Sequence, residues 1–188
     1  MISKWKKNSE QSILKASVFE YFKVSSTSLD SGKTGQFDVL KCRNWVNIIA
    51  LTPEKDVVLV KQYRQGTDLV TMEVPGGVIH TGEDPLTGAK RELEEETGYS
   101  ANKWTLLGSV DANPAFMNNK CFFYLARDSV LLNSQNLDPF EEIEVTKVPL
   151  DKIPQLIKEG KISHSLVVAA FYFLFLDPSL NQNSSVIG

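Results

Sequence analysis

The stretch Gly76–Tyr99, GGVIHTGEDPLTGAKRELEEETGY, decides how this chain is read. It predicts a glycine turn feeding a short helix. Asp84 is placed to accept from the free N–H groups of the first turn, and Pro85 follows where a missing N–H costs nothing. At about 100° per residue, Leu86, Ala89 and Leu93 fall on one stripe, and Gly98 is placed to end the helix in a left-handed conformation. That stripe must face a core.

The carboxylates need a separate explanation. Glu92 and Glu96, four apart, border the apolar stripe. Arg91 and Glu95 lie on the far side, where their opposite signs make an ordinary helix pair worth a few tenths of a kcal/mol. Glu92 and Glu96 repel, and an acidic run near a helix C-terminus opposes the macrodipole, so local stability does not explain their placement. Two readings follow. Either Glu92, Glu94, Glu95 and Glu96 are a solvated charged face, or two half-sheltered carboxylates hold a hard divalent cation such as Mg²⁺ or Mn²⁺.

Gly77, five residues, Glu83, seven residues and then Arg91-Glu92-Leu93-Glu94-Glu95-Glu96-Thr97-Gly98-Tyr99 resembles the signature of the Nudix hydrolases. Every fixed position is filled, with an aromatic, Tyr99, where an aliphatic is more usual. The resemblance implies an α/β Nudix fold, a mixed β-sheet sandwiched between helices, preceded here by an N-terminal antiparallel hairpin or sheet. It implies that Glu92 and Glu96 bind metal, that Glu95 is a ligand in some members, and that Glu83 and Arg91 orient the helix. Gly76 matches a position whose backbone carbonyl is a further ligand in the sugar-nucleotide branch; the alternative is a plain turn glycine.

The rest of the chain fits one domain with an N-terminal elaboration. At 188 residues and 42% hydrophobic it can bury a proper core. A net charge of −3 gives no footprint for nucleic acid, and the short basic cluster Lys4, Lys6 and Lys7 reads as a solvated N-terminus. Cys42 and Cys121 belong to no CxxC or Cys/His pattern, which fits reduced thiols in a cytoplasmic protein and indicates neither disulfide nor zinc. MISKWKKNSEQSILK lacks the apolar core of a signal peptide. The longest apolar run, Leu166–Leu176, has 11 residues, whereas a membrane span needs about 20.

Residues 17–24 and 36–42 read as a hairpin around SSTSLDSGKTG. Trp45–Leu51 and Asp56–Tyr63, then Trp104–Val110, Lys120–Ala126 and Ile143–Val148, read as strands. Helices are expected over Leu150–Glu159, ended by Gly160, and over Ser163–Leu176, capped by Ser163. The boundaries are residues 1–44 for the extension, 45–178 for the hydrolase domain and 179–188 for a flexible tail.

The chain resembles the ADP-ribose pyrophosphatase branch in particular. In that branch an N-terminal sheet exchanges with a second subunit, which implies a homodimer; the alternative is a hairpin that only extends its own sheet. Arg64, at a strand end, suits bidentate contact with phosphate oxygens or pairing with Glu73. Val78 is grouped with Arg64 on the substrate side. Pro114, fifteen residues after Tyr99, marks the same branch. The chain then departs from it: Pro114-Ala115 and Asn118-Asn119-Lys120 stand where typical members have Pro-Gly and a Ser/Thr-Glu that hold the terminal ribose. Asn118 and Asn119 would suit several hydroxylated sugars, closer to bacterial enzymes that hydrolyse nucleoside diphosphate sugars in general. A mobile acidic loop brings a general base to the metals in that branch, which implies Glu141, with Glu142 as runner-up. The expectation is therefore Mg²⁺-dependent hydrolysis of ADP-ribose, or of an ADP- or GDP-hexose, to a nucleoside monophosphate and a sugar phosphate. Glu141 is a catalytic and metal-site residue in that scheme. The alternatives are a house-cleaning nucleoside triphosphate pyrophosphohydrolase and a non-catalytic ADP-ribose-binding module.

Overall fold

β1 (Trp5–Lys15), β2 (Phe19–Ser28) and β3 (Thr34–Cys42) pair antiparallel in that order in the computed structural model, which describes residues 4–181. The described chain forms two compact units, residues 4–44 with 110–120, and residues 45–109 with 121–181. The predicted hairpin is present as β2 and β3. Lys4, Lys6 and Lys7 are exposed, as expected of a solvated N-terminus, but the segment is also a strand, which the sequence did not suggest. All of β1 is exposed, so it has no alternation of polar and apolar faces to betray it. It is held by pairing with β2, with register shifts between Lys7 and Ser9 and between Ser12 and Leu14, and by Trp5 edge-on to Phe37 with ring centroids 5.3 Å apart.

The segment 112–119 completes this first unit. Leu40 N–H donates to Phe116 O at 2.7 Å, and Asn118 N–H to Leu40 O at 3.3 Å. The side chains follow suit. Asn118 Oδ1 accepts from Cys42 N–H at 2.9 Å, and Asn119 Nδ2 donates to Arg43 O at 3.0 Å.

The second unit carries the remaining elements, apart from the last two residues of β9 and the first of β10. They are β4 (Trp45–Leu51), β5 (Asp56–Arg64), β6 (Leu69–Glu73), β7 (Gly76–Val78), α1 (Pro85–Thr97), β8 (Tyr99–Ser100), β9 (Lys103–Asp111), β10 (Lys120–Arg127), β11 (Val130–Leu131) and β12 (Ile143–Pro149). A 3₁₀ turn (Leu150–Lys152) leads into α2 (Ile153–Lys158), followed by α3 (Ser165–Leu176) and α4 (Pro178–Asn181). The main sheet runs β12-β5-β4-β10-β9, with β6 on β5 and β7 on β4. It is mixed: β4 and β10 are parallel, whereas β5 is antiparallel to both β4 and β12. The small strands β8 and β11 pair separately.

Alternation along β4 and β10 explains the sandwich. Val46, Ile48, Ala50, Tyr124 and Ala126 turn to one face and bury Ala89 and Leu93 of α1. Removing a side chain such as Leu93 from water contributes about 2 kcal/mol. The intervening residues turn the other way, where Phe123 meets Phe173 of α3 at 5.4 Å between centroids and α3 packs on β4. Both α1 and α3 thus find a hydrophobic face, as a two-sided sheet requires. α3 starts two residues later than its predicted cap. His164, not Ser163, is the N-cap, and it makes no side-chain cap bond. Of the expected tail 179–188, residues 182–188 lie outside the described residues and the first three belong to α4. No helix among the described residues is long and apolar enough to cross a membrane.

Candidate functional site

α1 is fixed at both ends. Asp84 Oδ2 accepts from Leu86 N–H (3.0 Å) and Thr87 N–H (3.2 Å), with Pro85 at the first helical position. Gly98 ends the helix at φ 72°, and a Cβ there would sit 2.1 Å from Asn133 O. The last carbonyls of a helix lack intrahelical partners. Here the segment after β11 supplies them: Leu132 and Asn133 N–H donate to Gly98 O, Asn136 N–H to Glu95 O, and Gln135 Nε2 to Glu96 O.

The acidic run is not one solvated face. Glu94 is exposed and accepts from Asn133 Nδ2 at 2.6 Å. Glu95 is 39% exposed, Glu92 13%, and Glu96 is buried at 4%. Sequence reasoning placed Arg91 on the far side as a simple partner of Glu95. The structure makes it a hub. Its Nη1 donates to Glu92 Oε1 and to Glu95 Oε2, both at 2.9 Å, its Nε and Nη2 grip Glu83 at 3.0 and 3.1 Å, and Nη2 also reaches Val78 O at 3.1 Å. Arg91's hydrogen bonds, helped by His80 N–H, outweigh burial and hold the Glu83 carboxyl down at about 2. Arg91 itself is held well above its ordinary value, chiefly by those bonds to Glu83. Glu83 and Arg91 thereby tie the turn before α1 to the helix. Val78 enters this arrangement through its backbone carbonyl.

Glu92 and Glu96 stand differently. Burial pushes Glu96 up to about 8, and the nearby charges of Glu92 and Glu141 add to that, against the pull of Gly76 N–H, which donates to Glu96 Oε2 at 2.9 Å. Burial likewise raises Glu92 in spite of Arg91. Gly77 is glycine for a geometric reason: a Cβ there would lie 2.5 Å from all three carboxyl atoms of Glu92. The missing side chain is the cradle in which that carboxylate rests.

Arg64 and Glu73 form the neighbouring pair. Glu73 is 2% exposed, and its two oxygens take Arg64 Nε at 2.8 Å and Nη2 at 2.7 Å, with Thr71 Oγ1 at 2.6 Å. Burial would raise Glu73, but Arg64 and Thr71 outweigh it and the carboxyl ends below its ordinary value. Of the two readings of Arg64, the pairing with Glu73 is the one observed: Glu73 fixes the guanidinium by two nitrogens, while the Arg64 side chain remains 43% exposed. His164, felt by both, is lowered mainly by its own burial.

Glu141 sits at the end of a tight turn. Its N–H donates to Asp138 O at 2.9 Å, and its Oε2 accepts from Asp138 N–H at 3.1 Å. Its charge reaches Glu92, Glu96 and Arg64. Arg64, Glu73, Glu92, Glu96 and Glu141 thus share one electrostatic neighbourhood. Asn118 and Asn119 belong to the other unit, with their amides engaged by the backbone of Cys42 and Arg43. A polar cavity of about 400 Å³ flanks α1, lined by Arg91, Glu94, Glu95, Asn133, Ser134 and Asn136.

The donor set suits a hard cation. Glu92, Glu96 and the Gly76 carbonyl offer oxygen only, as Mg²⁺, Mn²⁺ or Ca²⁺ prefer. Burial raises both carboxyls above their ordinary values, with Glu92 cradled against Gly77 and held by Arg91 while Glu96 has one backbone N–H, so the pair is short of positive charge. Among the described residues no three His, Cys, Asp or Glu side chains are gathered as a ready cage, and Arg91 holds Glu92 and Glu95 instead. Gln135, which reaches both α1 and β12, carries no sequence signal and was not anticipated.

Comparison with known proteins finds relatives over most of the chain. The NUDIX domain profile matches residues 43–171. A protein of Bacillus methanolicus named methanol dehydrogenase activator is 35% identical over 85% of this chain and 86% of its own length. An ADP-ribose pyrophosphatase of Bacillus subtilis is 32% identical over 84% of this chain and 85% of its own length. A crystal structure of an ADP compounds hydrolase superposes with a TM-score of 0.84 at 20% identity, covering 100% of this chain and 99% of that one, which establishes likeness of fold.

Proposed function

This chain belongs to the Nudix family, and from that premise we propose that it is a pyrophosphatase that hydrolyses the diphosphate bond of an ADP-sugar, ADP-ribose first among them, to AMP and a sugar phosphate. The observation that carries this reading is the Glu92–Glu96 pair: two adjacent carboxylates, both raised by burial, on one helix face beside an exposed arginine. Nudix hydrolases work with a divalent metal, and Glu92, Glu96 and the Gly76 carbonyl would hold it, Mg²⁺ or Mn²⁺, with Glu95 and Glu141 as further candidate ligands. When bound, the ion offsets the diphosphate's charge and makes water a better nucleophile.

The chain's own residues do the rest. Arg64, locked by Glu73, presents its guanidinium to non-bridging phosphate oxygens. Glu141 leaves its turn and accepts a proton from the attacking water. Water's oxygen bonds to phosphorus while the bridging P–O bond breaks, which leaves one phosphate on each product. Arg91 does not meet substrate; it holds Glu92 in place and opposes the effect of burial on its carboxyl. We further propose that residues 1–44 form a dimerising extension, that 45–178 form the hydrolase domain, and that the enzyme works in the cytoplasm, where Cys42 and Cys121 stay as free thiols.

A panel of ADP-ribose, ADP- and GDP-hexoses and deoxynucleoside triphosphates, incubated with Mg²⁺ and read by mass spectrometry, tests the proposal. AMP with a sugar phosphate is expected. Pyrophosphate released from a triphosphate, with the sugars untouched, would overturn it. One observation favours a second reading, namely that the Bacillus methanolicus relative is named as an activator. In that reading the chain acts on a partner dehydrogenase, and adding the protein to methanol dehydrogenase while following alcohol oxidation tests it.

A further inference from the structure

We infer that Gln135 is a positioning residue for Glu141: its side-chain amide ties the helix that carries Glu92 and Glu96 to the far end of the turn that carries Glu141. The inference rests on the reading of Glu141 as the base. Gln135 Nε2 donates to Glu96 O at 2.7 Å and to Ile143 O at 3.1 Å. Glu96 is a member of the carboxylate pair, and Ile143 opens β12 two residues after Glu141. An NH₂ group has two protons, and both are used. Two carbonyl acceptors also require nitrogen, not oxygen, at this position.

The neighbouring bonds show why this contact is singular. Leu132, Asn133 and Asn136 also cap the end of α1, but by backbone N–H groups that stop at the helix. Gln135 alone among these four reaches β12 as well. Between Gln135 and Ile143 in sequence lies the Asp138–Glu141 turn, closed on itself by Glu141 N–H to Asp138 O and Asp138 N–H to Glu141 Oε2. With Ile143 pinned to Glu96, the turn can open without carrying Glu141 away from the pair. A base must sit within hydrogen-bond reach of its proton, and a misplacement of about 1 Å costs on the order of 100-fold in rate.

The test combines kinetics with hydrogen exchange on the full chain. Gln135→Glu keeps the size but sets a carboxylate against two carbonyls, and Gln135→Ala removes the contact. Both should lower kcat on ADP-ribose by roughly 10- to 100-fold with KM within about twofold. Amide exchange in the peptide spanning 136–143 should quicken, while melting temperature and Mn²⁺ binding stay near wild type. Asn133→Ala, on the same segment but without reach to β12, should change neither. Glu141→Gln supplies the reference: added to it, Gln135→Ala should cost nothing further, because residues acting as one unit are non-additive. A double variant that falls by the product of the single effects would overturn the inference, as would quickened exchange with unchanged kcat. Should Glu141→Gln alone keep its kcat, the reading of Glu141 falls first and takes this inference with it.

Discussion

Replacing Glu83 by glutamine asks how much of the site's architecture hangs on Arg91. Glu83 lies at about 2 instead of 4.5, chiefly because Arg91 donates to both of its oxygens, with burial working the other way and His80 N–H assisting. At about 1.4 kcal/mol per pH unit, that displacement corresponds to roughly 3 kcal/mol in favour of the folded, ionised form. The pair is mostly sheltered, with Glu83 12% and Arg91 22% exposed, so residual solvent screening trims the figure only modestly, to about 2 kcal/mol. For a chain of this length, that lowers Tm by roughly 4–8 °C at pH 7. Because the folded-state value is depressed, the stabilisation is fully present above about pH 4.5 and fades as pH falls toward 2. Calorimetric melting of wild type and Glu83→Gln at pH 7, 5, 4 and 3 should therefore show a gap that is constant at the two higher values and narrows below them. A gap of the same size at pH 3 and pH 7 refutes the charge-based account, and a gap under about 0.5 kcal/mol at pH 7 refutes the role given to Arg91.

Two further outcomes follow from the same geometry. Glu96→Gln puts a neutral amide of the same shape where burial already holds the carboxyl up at about 8, so the metal-free protein should melt no lower than wild type, while turnover falls on the order of 100-fold or more; retained kcat would dismiss the metal assignment. Gly77→Ala sets a Cβ 2.5 Å from the Glu92 carboxyl atoms, so that carboxylate must shift. The strain should cost about 1–3 kcal/mol in thermal melts and the shift should weaken Mn²⁺ binding by calorimetric titration, whereas unaltered binding would mean that Glu92 does not need its cradle.

What was legible in the sequence was local. Asp84, Pro85 and Gly98 mark the ends of α1 because caps obey short-range chemistry, and Ala89 and Leu93 mark its buried stripe because periodicity survives without knowledge of the partner. Strands β4 and β5 were visible for the same reason. β1 was not, since a strand exposed along its whole length carries no alternation, and neither was β6, five residues whose conformation comes from pairing with β5. Within the site, the Arg91–Glu95 contact follows helix spacing, but Arg91–Glu92 does not: adjacent helical residues point about 100° apart, and only a long side chain with several donors bridges them. Gln135 was invisible because its partners are backbone carbonyls, which every residue has.

The distribution of partners along α1 gives the acidic run its meaning. Glu94 finds Asn133, while Glu95 and Glu92 share Arg91. Glu96, the most buried of the four, has one backbone N–H and a more distant Arg64 against the opposing charges of Glu92 and Glu141. Compensation therefore runs inversely to need, since a buried charge is the one that most requires a counter-charge. A fold selected only for stability would place an apolar residue at 96. Because a cation binding the native state stabilises it in proportion to the logarithm of its concentration over Kd, the least compensated carboxylate is also where a divalent ion gains most. Under the proposed function, the same imbalance is what would draw a divalent ion to Glu92 and Glu96.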